Sequence, residues 1–220
     1  MDLMEAIKAR HSVRSYSDRE IEPEKMRILT DKINAINKEN GLHFQLISDE
    51  PKAFDGFMAH YGKFSGVTDY FALIGKKSAD LSEKCGYYGE QLVLLAQQLS
   101  LNTCWVAMSY SKVKSAYKID AGEKLVIVIS LGYGNTQGKP HKSKAAAEVS
   151  KADAPADWFN AGVEAALLAP TAMNQQKFSF EKKGDKVSAA AGTGFYSKVD
   201  LGIAKLHFEI GAGTENFKWA

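Results

Sequence analysis

Two guanidinium groups and one hydroxyl group recur at every second position near the start of the chain. The segment reads RHSVR, and Arg10, Ser12 and Arg14 alternate along it. If the chain leaves its first helix in an extended form, these three side chains point the same way. Arginine binds phosphate through paired, charge-assisted hydrogen bonds, so the spacing favours an anion site. A solvated basic helix end, stabilised by the helix dipole, is the alternative interpretation.

A second polar segment, APTAMNQQ, occupies residues 169–176. Pro170 fixes the exit from a predicted helix. Asn174 and Gln176 each offer a donor and an acceptor, which suits the recognition of a heterocycle edge. A polar turn whose amides satisfy nearby backbone groups is the alternative interpretation.

Two further segments carry polar or charged groups. Residues 102–106, NTCWV, are predicted to form a turn after a long helix. Lys139, Lys142 and Lys144 lie in a basic loop. This loop is either a solvated face or a cover that closes over an anionic ligand.

Several common site motifs are missing from the sequence. It has no Walker A loop, no HExxH and no G-x-S-x-G nucleophile elbow. The glycines at 132, 134 and 138 approach a dinucleotide fingerprint, but Gln137 stands where the third glycine is needed. The five histidines are scattered without metal-ligand spacing, so we expect no metal site.

Composition bounds the class of protein. The 220 residues include 28 Lys and Arg against 26 Asp and Glu, a net charge of +2 that argues against a general nucleic-acid binder. Cys85 and Cys104 are too few for a disulfide framework, and we expect reduced thiols. The sequence shows neither an apolar signal-peptide region nor a run of about 20 apolar residues. We therefore expect a cytoplasmic protein with no membrane contact.

Periodic apolar patterns predict the elements that must position these groups. Helices are predicted at residues 2–10, 23–38, 82–100, 155–168 and 199–210, and strands at 42–48, 70–75 and 124–131. Residues 51–66 are expected to be irregular or partly helical, and Gly184-Asp185 is expected to form the turn of a hairpin. Residues 132–153 form the best linker candidate. The order of predicted elements in the first half of the chain is faintly similar to that in the second half. This similarity allows the single domain, residues 1–220, to consist of two half-units, at about 1–138 and 150–220.

Four segments together resemble the FMN-dependent nitroreductase family. They are RHSVR, LSLNTCWV, VIVISLGYG followed by HKSK, and APTAMNQQ. APTAMNQQ lies near the C-terminus instead of soon after RHSVR, so the resemblance is to a permuted branch of that family. It implies an α+β, three-layer fold with a central, mostly antiparallel sheet flanked by helices.

The resemblance also implies a set of FMN-binding residues. Arg10, Ser12 and Arg14 would hold the phosphate and ribityl chain, and Lys142 or Lys144 would add charge near the phosphate or the pyrimidine. The remaining implied contacts are the backbone of His11, Lys63 near the pyrimidine, the backbone at Trp105, Val106 and Ala107 near flavin N5, and Pro170, Thr171, Asn174 and Gln176 along the isoalloxazine edge. No catalytic side chain is implied, because the flavin carries the redox chemistry.

The implied activity is NAD(P)H-dependent reduction of nitroaromatics, quinones or similar flat acceptors. Hydride passes through flavin N5 in a ping-pong scheme, and the partners are small molecules. The family's site lies at a subunit interface. The resemblance therefore implies either a homodimer or a monomer folded as a pseudo-dimer.

Three departures from the family pattern keep other functions open. Ser100 or Asn102 stands for a usual glycine, Gly134 for a usual proline, and Lys177 for the usual proline after N-x-Q. They favour, as an alternative, a flavin-binding regulatory or storage protein without efficient turnover. A nucleotide- or RNA-binding module is a third hypothesis, which the small net charge disfavours.

Overall fold

The computed structural model describes residues 1–220. Its α-helices are Leu3–Ala9 (α1), Pro23–Asn40 (α2), Phe57–Tyr61 (α3), Leu81–Gln98 (α4), Ala146–Val149 (α5), Asp157–Ala166 (α6) and Ser197–Ala212 (α7). Its strands are Gln45–Ile47 (β1), Asp69–Lys76 (β2), Asn102–Val106 (β3), Glu123–Gly132 (β4), Ser150–Ala152 (β5), Phe178–Lys183 (β6), Lys186–Ala191 (β7) and Lys218–Trp219 (β8). Short 3-10 helices cover Pro51–Ala53, Ala172–Asn174 and Thr214–Asn216.

Local sequence signals set the ends of the first two helices. The backbone N–H of Asp2 donates to the Glu5 carboxylate at 2.9 Å, and the N–H of Glu5 donates back to Asp2 at 2.7 Å. This reciprocal pair is a capping box at the start of α1. Helix α2 begins at Pro23 and ends at Gly41, which adopts the left-handed conformation with φ of 62°.

The chain divides into two compact units. The first-sheet unit comprises residues 10–81 and 92–139, and the second-sheet unit comprises residues 1–9, 82–91 and 140–220. Each unit contains one four-stranded sheet. The two units are described separately below.

The first-sheet unit contains the sheet β1-β2-β4-β3, in which every neighbouring pair is antiparallel. Strands β2 and β4 pair along eight positions, with one shift in register between Leu73 and Ile74. Residues 70–74 of β2 are completely buried, as are Val128 and Ile129 of β4. The long apolar runs of these strands therefore form the core that supports the rest of the unit.

The second-sheet unit contains the sheet β5-β6-β7-β8. Strands β6 and β7 form an antiparallel hairpin across Gly184-Asp185, whereas β5–β6 and β7–β8 are parallel pairs. Phe180 of β6 stacks on Phe208 of α7, with ring centroids 4.6 Å apart. Aromatic packing of this kind holds the helices against the sheet.

Two glycines allow α7 to cross the first half of α4 at backbone contact. A Cβ atom at Gly86 would lie 2.0 Å from the Val199 carbonyl oxygen, and one at Gly202 would lie 2.0 Å from the Glu83 carbonyl oxygen. No other residue fits at either position without moving a helix backbone. Gly86 and Gly202 therefore permit this close packing.

The predicted α+β class, with mostly antiparallel strand pairing, is confirmed. The prediction of a turn at residues 102–106 is wrong, because this segment pairs with β4 as strand β3. The strand predicted at 42–48 is confined to Gln45–Ile47. Strands β5 and β8 were not predicted, since two or three residues are too few to show a periodic pattern. No helix is both long enough and apolar enough to cross a bilayer.

Candidate functional site

The segment around RHSVR, here called the arginine segment (residues 10–16), is extended and joined to β3. The N–H of Val13 donates to the Thr103 carbonyl oxygen at 3.0 Å, and Ser12 forms a parallel bridge with Thr103. On the other side, the N–H of Ser65 donates to the Arg14 carbonyl oxygen at 2.9 Å. Main-chain bonds on both sides therefore hold the segment in the extended form on which side-chain alternation depends.

The alternating side chains share one neighbour, the buried thiol of Cys104. The Ser12 hydroxyl group forms a hydrogen bond with this thiol, and Arg14 and Arg10 both act on it electrostatically. Burial raises the pKa of the Cys104 thiol and outweighs these three groups, which lower it. The thiol is therefore neutral, and the positive charges of the two arginines stay uncompensated by it.

The two arginines differ in exposure. Arg10 is 4% exposed, whereas Arg14 is exposed and lies over the ring of Phe64, with the guanidinium carbon 5.9 Å from the ring centroid. None of the ion pairs in the structure involves Arg14. Two guanidinium groups and a hydroxyl group form a donor set whose chemistry fits a phosphate group.

A glycine-rich loop passes directly over the arginine segment. Gly138 has φ of 74°, and a Cβ atom there would lie 2.7 Å from the Cβ of His11 and 3.0 Å from the Ser12 carbonyl oxygen. Only glycine fits this approach without displacing the backbone of the segment. The contact also places His11, half-buried, beside the loop that precedes the lysines at 139–144.

The departure at Gly134 has a structural reason. Its N–H donates to the side-chain oxygen of Asn102 at 2.9 Å, and Asn102 in turn donates to Gln137 at 3.1 Å. Proline has no N–H and would leave the buried Asn102 oxygen without this donor. Of the two positions that could replace the usual glycine, Ser100 has the left-handed φ of 61°, whereas Asn102 lies in β3.

Sequence analysis missed Tyr16, the last residue of the arginine segment, and its partner Ser130 on β4. The Tyr16 hydroxyl group donates to the Val13 carbonyl oxygen at 2.8 Å and lies 2.8 Å from the Ser130 hydroxyl oxygen. Both residues are buried, and burial raises the pKa of Tyr16 well above its usual range. A tyrosine two residues after Arg14 was the only available signal, and nothing in the sequence pairs it with a serine 114 residues away.

The other predicted residues of the first-sheet unit have varied surroundings. Lys63 is exposed and has φ of 63°, which is unusual for a residue other than glycine. Trp105 is half-buried and Val106 is buried at the end of β3, and Ala107 follows the strand half-buried. Strand β3 is the edge strand beside β4, and the arginine segment bonds to it at Thr103.

In the second-sheet unit, APTAMNQQ forms a tight turn, here called the amide turn (residues 170–176). The side-chain nitrogens of Asn174 and Gln176 donate to the Lys142 carbonyl oxygen at 2.8 and 2.9 Å. The Gln176 side-chain oxygen accepts from the N–H of Lys144 at 2.9 Å. Both predicted amides are thus bonded to backbone groups, as the polar-turn interpretation describes.

The remaining predicted residues of this unit lie around the amide turn. Pro170 is buried and Thr171 is half-buried, and the Thr171 hydroxyl oxygen accepts from the N–H of Gln176 at 3.1 Å. The Lys144 ammonium donates to the Gln176 carbonyl oxygen at 3.0 Å, whereas the Lys142 side chain is exposed. Of the two lysines, Lys142 is therefore the one whose side chain extends into solvent.

The amide turn contains three left-handed residues other than glycine. Met173 and Asn174 have φ of 53°, and Gln176 has φ of 44°. Each such conformation lowers the stability of the folded protein by about 1–3 kcal/mol. It persists only where surrounding contacts hold it. Met173 is 94% exposed, so the strain there does not serve to bury its side chain.

The predicted cofactor-binding set therefore falls into two groups. Arg10, His11, Ser12, Arg14, Lys63 and residues 105–107 belong to the first-sheet unit, and Lys142, Lys144 and the amide turn belong to the second-sheet unit. The observed contacts relate Arg10, Ser12 and Arg14 to Cys104, and they join Lys142 and Lys144 to the amide turn. The assignment of both groups to one cofactor stays a prediction.

One group of three possible metal ligands, His43, Asp120 and Glu123, lies in the first-sheet unit. His43 Nδ1 lies 2.7 Å from the Glu123 carboxylate, and the same carboxylate oxygen accepts from the N–H of Asp120 at 2.8 Å. The Asp120 carboxylate pairs with Lys118 at 2.9 Å. These bonds account for the group without an ion.

Comparison with known proteins gives one family and one fold. The family model described as "Putative TM nitroreductase" matches residues 2–212. No curated protein matches the sequence significantly. A structure titled as a putative nitroreductase from Thermotoga maritima MSB8 is 24% identical, with a TM-score of 0.69, and the match covers 98% of this chain and 85% of that one.

Two other solved structures match two thirds of the chain. One, titled as a putative NADH dehydrogenase/NAD(P)H nitroreductase from Bacteroides thetaiotaomicron VPI-5482, is 20% identical with a TM-score of 0.53 and is covered over 95% of its length. The other, a nitroreductase family protein from Streptococcus pneumoniae TIGR4, is 14% identical with a TM-score of 0.54 and is covered over 98%. Each match covers 67% of this chain, and at these identities it shows a shared fold.

Proposed function

The chain belongs to the family described as "Putative TM nitroreductase", and from this premise we propose that it is an FMN-dependent oxidoreductase. Its reductant in this proposal is NAD(P)H, and its oxidant is a nitroaromatic, a quinone or a similar flat acceptor. The cofactor, when bound, supplies hydride acceptance at N5 and electron delivery to the acceptor in a ping-pong scheme. The Bacteroides protein, whose title names an NADH dehydrogenase/NAD(P)H nitroreductase, supports the choice of reductant.

The observation that carries this proposal is the donor set of the arginine segment. The buried Arg10, the Ser12 hydroxyl group and the exposed Arg14 all act on the Cys104 thiol. In the proposal, these groups hold the FMN phosphate through charge-assisted hydrogen bonds. Gly138 lets the following loop approach the backbone of His11 and Ser12 more closely than a larger residue would allow.

The remaining residues position the cofactor and exclude water. We assign the backbone of His11 and of residues 105–107, together with Lys63, to the cofactor face of the first-sheet unit. We assign Pro170, Thr171, Asn174 and Gln176 to the isoalloxazine edge, and Lys142 to the supply of positive charge. Lys144 holds the amide turn through the Gln176 carbonyl and so acts on the cofactor through that turn.

We propose two alternative assemblies for this protein. Either one chain of 220 residues folds as a pseudo-dimer of half-units, or two chains exchange their halves in a homodimer. Sedimentation of the flavin-loaded protein separates the two, because the first assembly sediments as a monomer of 24.1 kDa. A mass of twice that value would favour the homodimer.

The first experiment is the visible absorbance spectrum of freshly purified protein, followed by heat release and identification of any chromophore. We expect FMN, together with oxidation of NADH or NADPH that depends on a nitroaromatic or quinone acceptor. Protein that carries no flavin and fails to bind added FMN would overturn the proposal. Free FMN at the same concentration is the control for uncatalysed oxidation.

A flavin-binding regulatory or storage protein is distinguished by turnover. In that case FMN would bind, but NAD(P)H would reduce it no faster than it reduces free FMN. Stopped-flow reduction of the bound flavin measures the difference directly. Fast reduction followed by fast reoxidation with an acceptor supports the oxidoreductase.

A further inference from the structure

The buried carboxylate of Asp200 holds the amide turn in place through two hydrogen bonds. Asp200 lies in the first turn of α7 and is 3% exposed. One of its oxygens accepts from the N–H of Ala172 at 3.0 Å, and the other accepts from the Gln175 side-chain nitrogen at 2.7 Å. The two donors lie on either side of Met173 and Asn174, so one carboxylate spans this part of the turn.

The turn depends on such outside contacts because its own backbone is strained. Left-handed conformations at Met173, Asn174 and Gln176 disfavour it as an isolated segment. The Gln175 side chain is fixed further by a bond to the Phe195 carbonyl oxygen at 2.7 Å. A Cβ atom at Gly194 would lie 2.4 Å from the Gln175 side-chain oxygen, so glycine makes room for this arrangement.

We propose that Asp200 is a positioning residue of the proposed flavin site, whose ionised carboxylate holds the amide turn in place and whose protonation releases the turn and weakens flavin binding. The proposal rests on the proposed function for the identity of the ligand. Its chemical reason is that both carboxylate oxygens face donors. A proton on either oxygen would face an N–H group, and one of the two hydrogen bonds would be lost.

The electrostatic setting makes this protonation accessible near neutral pH. Burial raises the pKa of Asp200 to about 6, while the hydrogen bonds from Gln175 and Ala172 act in the opposite direction. The helix dipole at the start of α7 also favours the ionised form. The carboxylate is therefore charged at pH 7.5 and largely protonated at pH 5.

Charged side chains of the neighbouring segments are engaged elsewhere. The Lys177 ammonium donates to the Thr193 carbonyl oxygen at 2.9 Å, and on α4 the Glu83 carboxylate pairs with Lys205 at 2.8 Å. None of these ionised groups contributes to the pKa of Asp200. The pKa of Asp200 should therefore be set by its burial and by the hydrogen bonds from its two donors.

The test compares the wild-type protein with Asp200→Asn and with the control Asp185→Asn, which changes an exposed aspartate in the β6–β7 turn. FMN dissociation constants are measured between pH 5 and 8 by flavin fluorescence. Wild type and control should lose about fivefold more affinity than Asp200→Asn as the pH falls from 7.5 to 5, the effect at pH 5 of a pKa that is one unit lower in the bound protein than in the free protein. The FMN phosphate also titrates near pH 6, but it does so equally in all three proteins and cancels in their ratio.

A second measurement reports on the turn without a flavin. Hydrogen exchange at Ala172 measures the protection of the backbone N–H group that donates to Asp200. Its protection in the wild-type apoprotein should fall below pH 6, and in Asp200→Asn it should be low at every pH. If Asp200→Asn fails to fold, Gln175→Ala serves instead. Removing one donor destabilises the ionised carboxylate, so the midpoint of the wild-type transition should move up by about one pH unit.

Two results would overturn the inference in distinguishable ways. If Asp200→Asn matches the wild type in Ala172 protection and in the pH profile of FMN affinity, Asp200 does not position the turn, and the proposed function stands. If the wild-type protein binds neither FMN nor riboflavin at pH 7.5, the proposed function fails. The link from Asp200 to a flavin then fails with it, even where Ala172 protection follows the predicted pH dependence.

Discussion

The arginine segment and the amide turn are held in place by opposite means. In the arginine segment, main-chain bonds from Val13 to Thr103 and from Ser65 to Arg14 fix the backbone. In the amide turn, side chains fix the backbone, because Asn174 and Gln176 bond to the Lys142 carbonyl. The first arrangement leaves the exposed Arg14 side chain available for a ligand, and the second uses its amides to maintain the fold.

This difference separates two roles that look alike in a sequence. A polar side chain placed by a strand is free to bind, so its removal should change affinity more than stability. A polar side chain that closes a strained turn is part of the fold, so its removal should change stability first. The following substitutions test this division, beginning with the largest expected effect.

Gly134→Pro should destabilise the protein by about 3 kcal/mol, because it removes the donor to the buried Asn102 oxygen and overlaps neighbouring atoms. A Cβ atom at this position would lie 2.7 Å from Val13 and 2.6 Å from the Thr136 carbonyl oxygen. Chemical denaturation measures the change. Gly134→Ala keeps the N–H, so the difference between the two variants isolates the hydrogen bond, and equal losses would show that it contributes nothing.

Arg14→Ala should weaken FMN binding by about 1.5–3 kcal/mol, or roughly 10- to 150-fold, the scale of a hydrogen bond to a charged group. The free energy of unfolding should change by less than about 0.5 kcal/mol, since Arg14 is exposed. Flavin fluorescence titration and chemical denaturation measure the two effects.

The matched control for this change is Arg27→Ala. Arg27 is exposed on α2 and pairs with Glu24 and Asp31, away from the arginine segment in sequence. It should leave FMN affinity unchanged. An equal loss of affinity in both variants would indicate a general charge effect and would remove the specific role of Arg14.

Gln176→Leu should show the reverse pattern, with a loss of stability of about 2 kcal/mol. Gln176 is 2% exposed, and its removal leaves the Lys142 carbonyl and the Lys144 N–H with one partner fewer. Lys142→Ala is the control, because the Lys142 carbonyl makes the bond and its side chain is exposed. If Gln176→Leu is as stable as this control, the amides of the turn do not maintain the fold.

The smallest expected effects come from left-handed positions. Ser100→Gly and Met173→Gly should each stabilise the protein by about 0.5 kcal/mol, since the relief of strain exceeds the added freedom of the unfolded chain. Both side chains are exposed. Thermal unfolding compares the stability of each variant with that of the wild-type protein. If Ser100→Gly stabilises the protein and Met173→Gly does not, the conformation of Met173 is less strained than its φ indicates.

Local signals were enough to predict much of the fold and part of the candidate site. The capping box of α1, the glycine after α2 and the Gly184-Asp185 hairpin depend on residues within about four positions of one another. The alternation of Arg10, Ser12 and Arg14 belongs to the same class of signal. It needed only an extended backbone, and the structure has one.

The features that the sequence did not show depend on partners far apart along the chain. Residues 102–106 became a strand because β4 pairs with them, and the bond between Asn102 and Gly134 crosses 32 positions. Asp200 fastens a turn 28 residues away. Contacts between residues this far apart produce no periodic pattern in the sequence.

The sequence by itself determined the elements, the α+β class and the alternating donor set, since each follows from covalent neighbours and their periodicity. Only the tertiary structure decided which polar side chains stay available and which close a turn. The physical reason is that an amide or a carboxylate has the same hydrogen-bonding capacity in either role. Its role is set by the partner that the fold brings within 3 Å, as Lys142 is brought to Gln176.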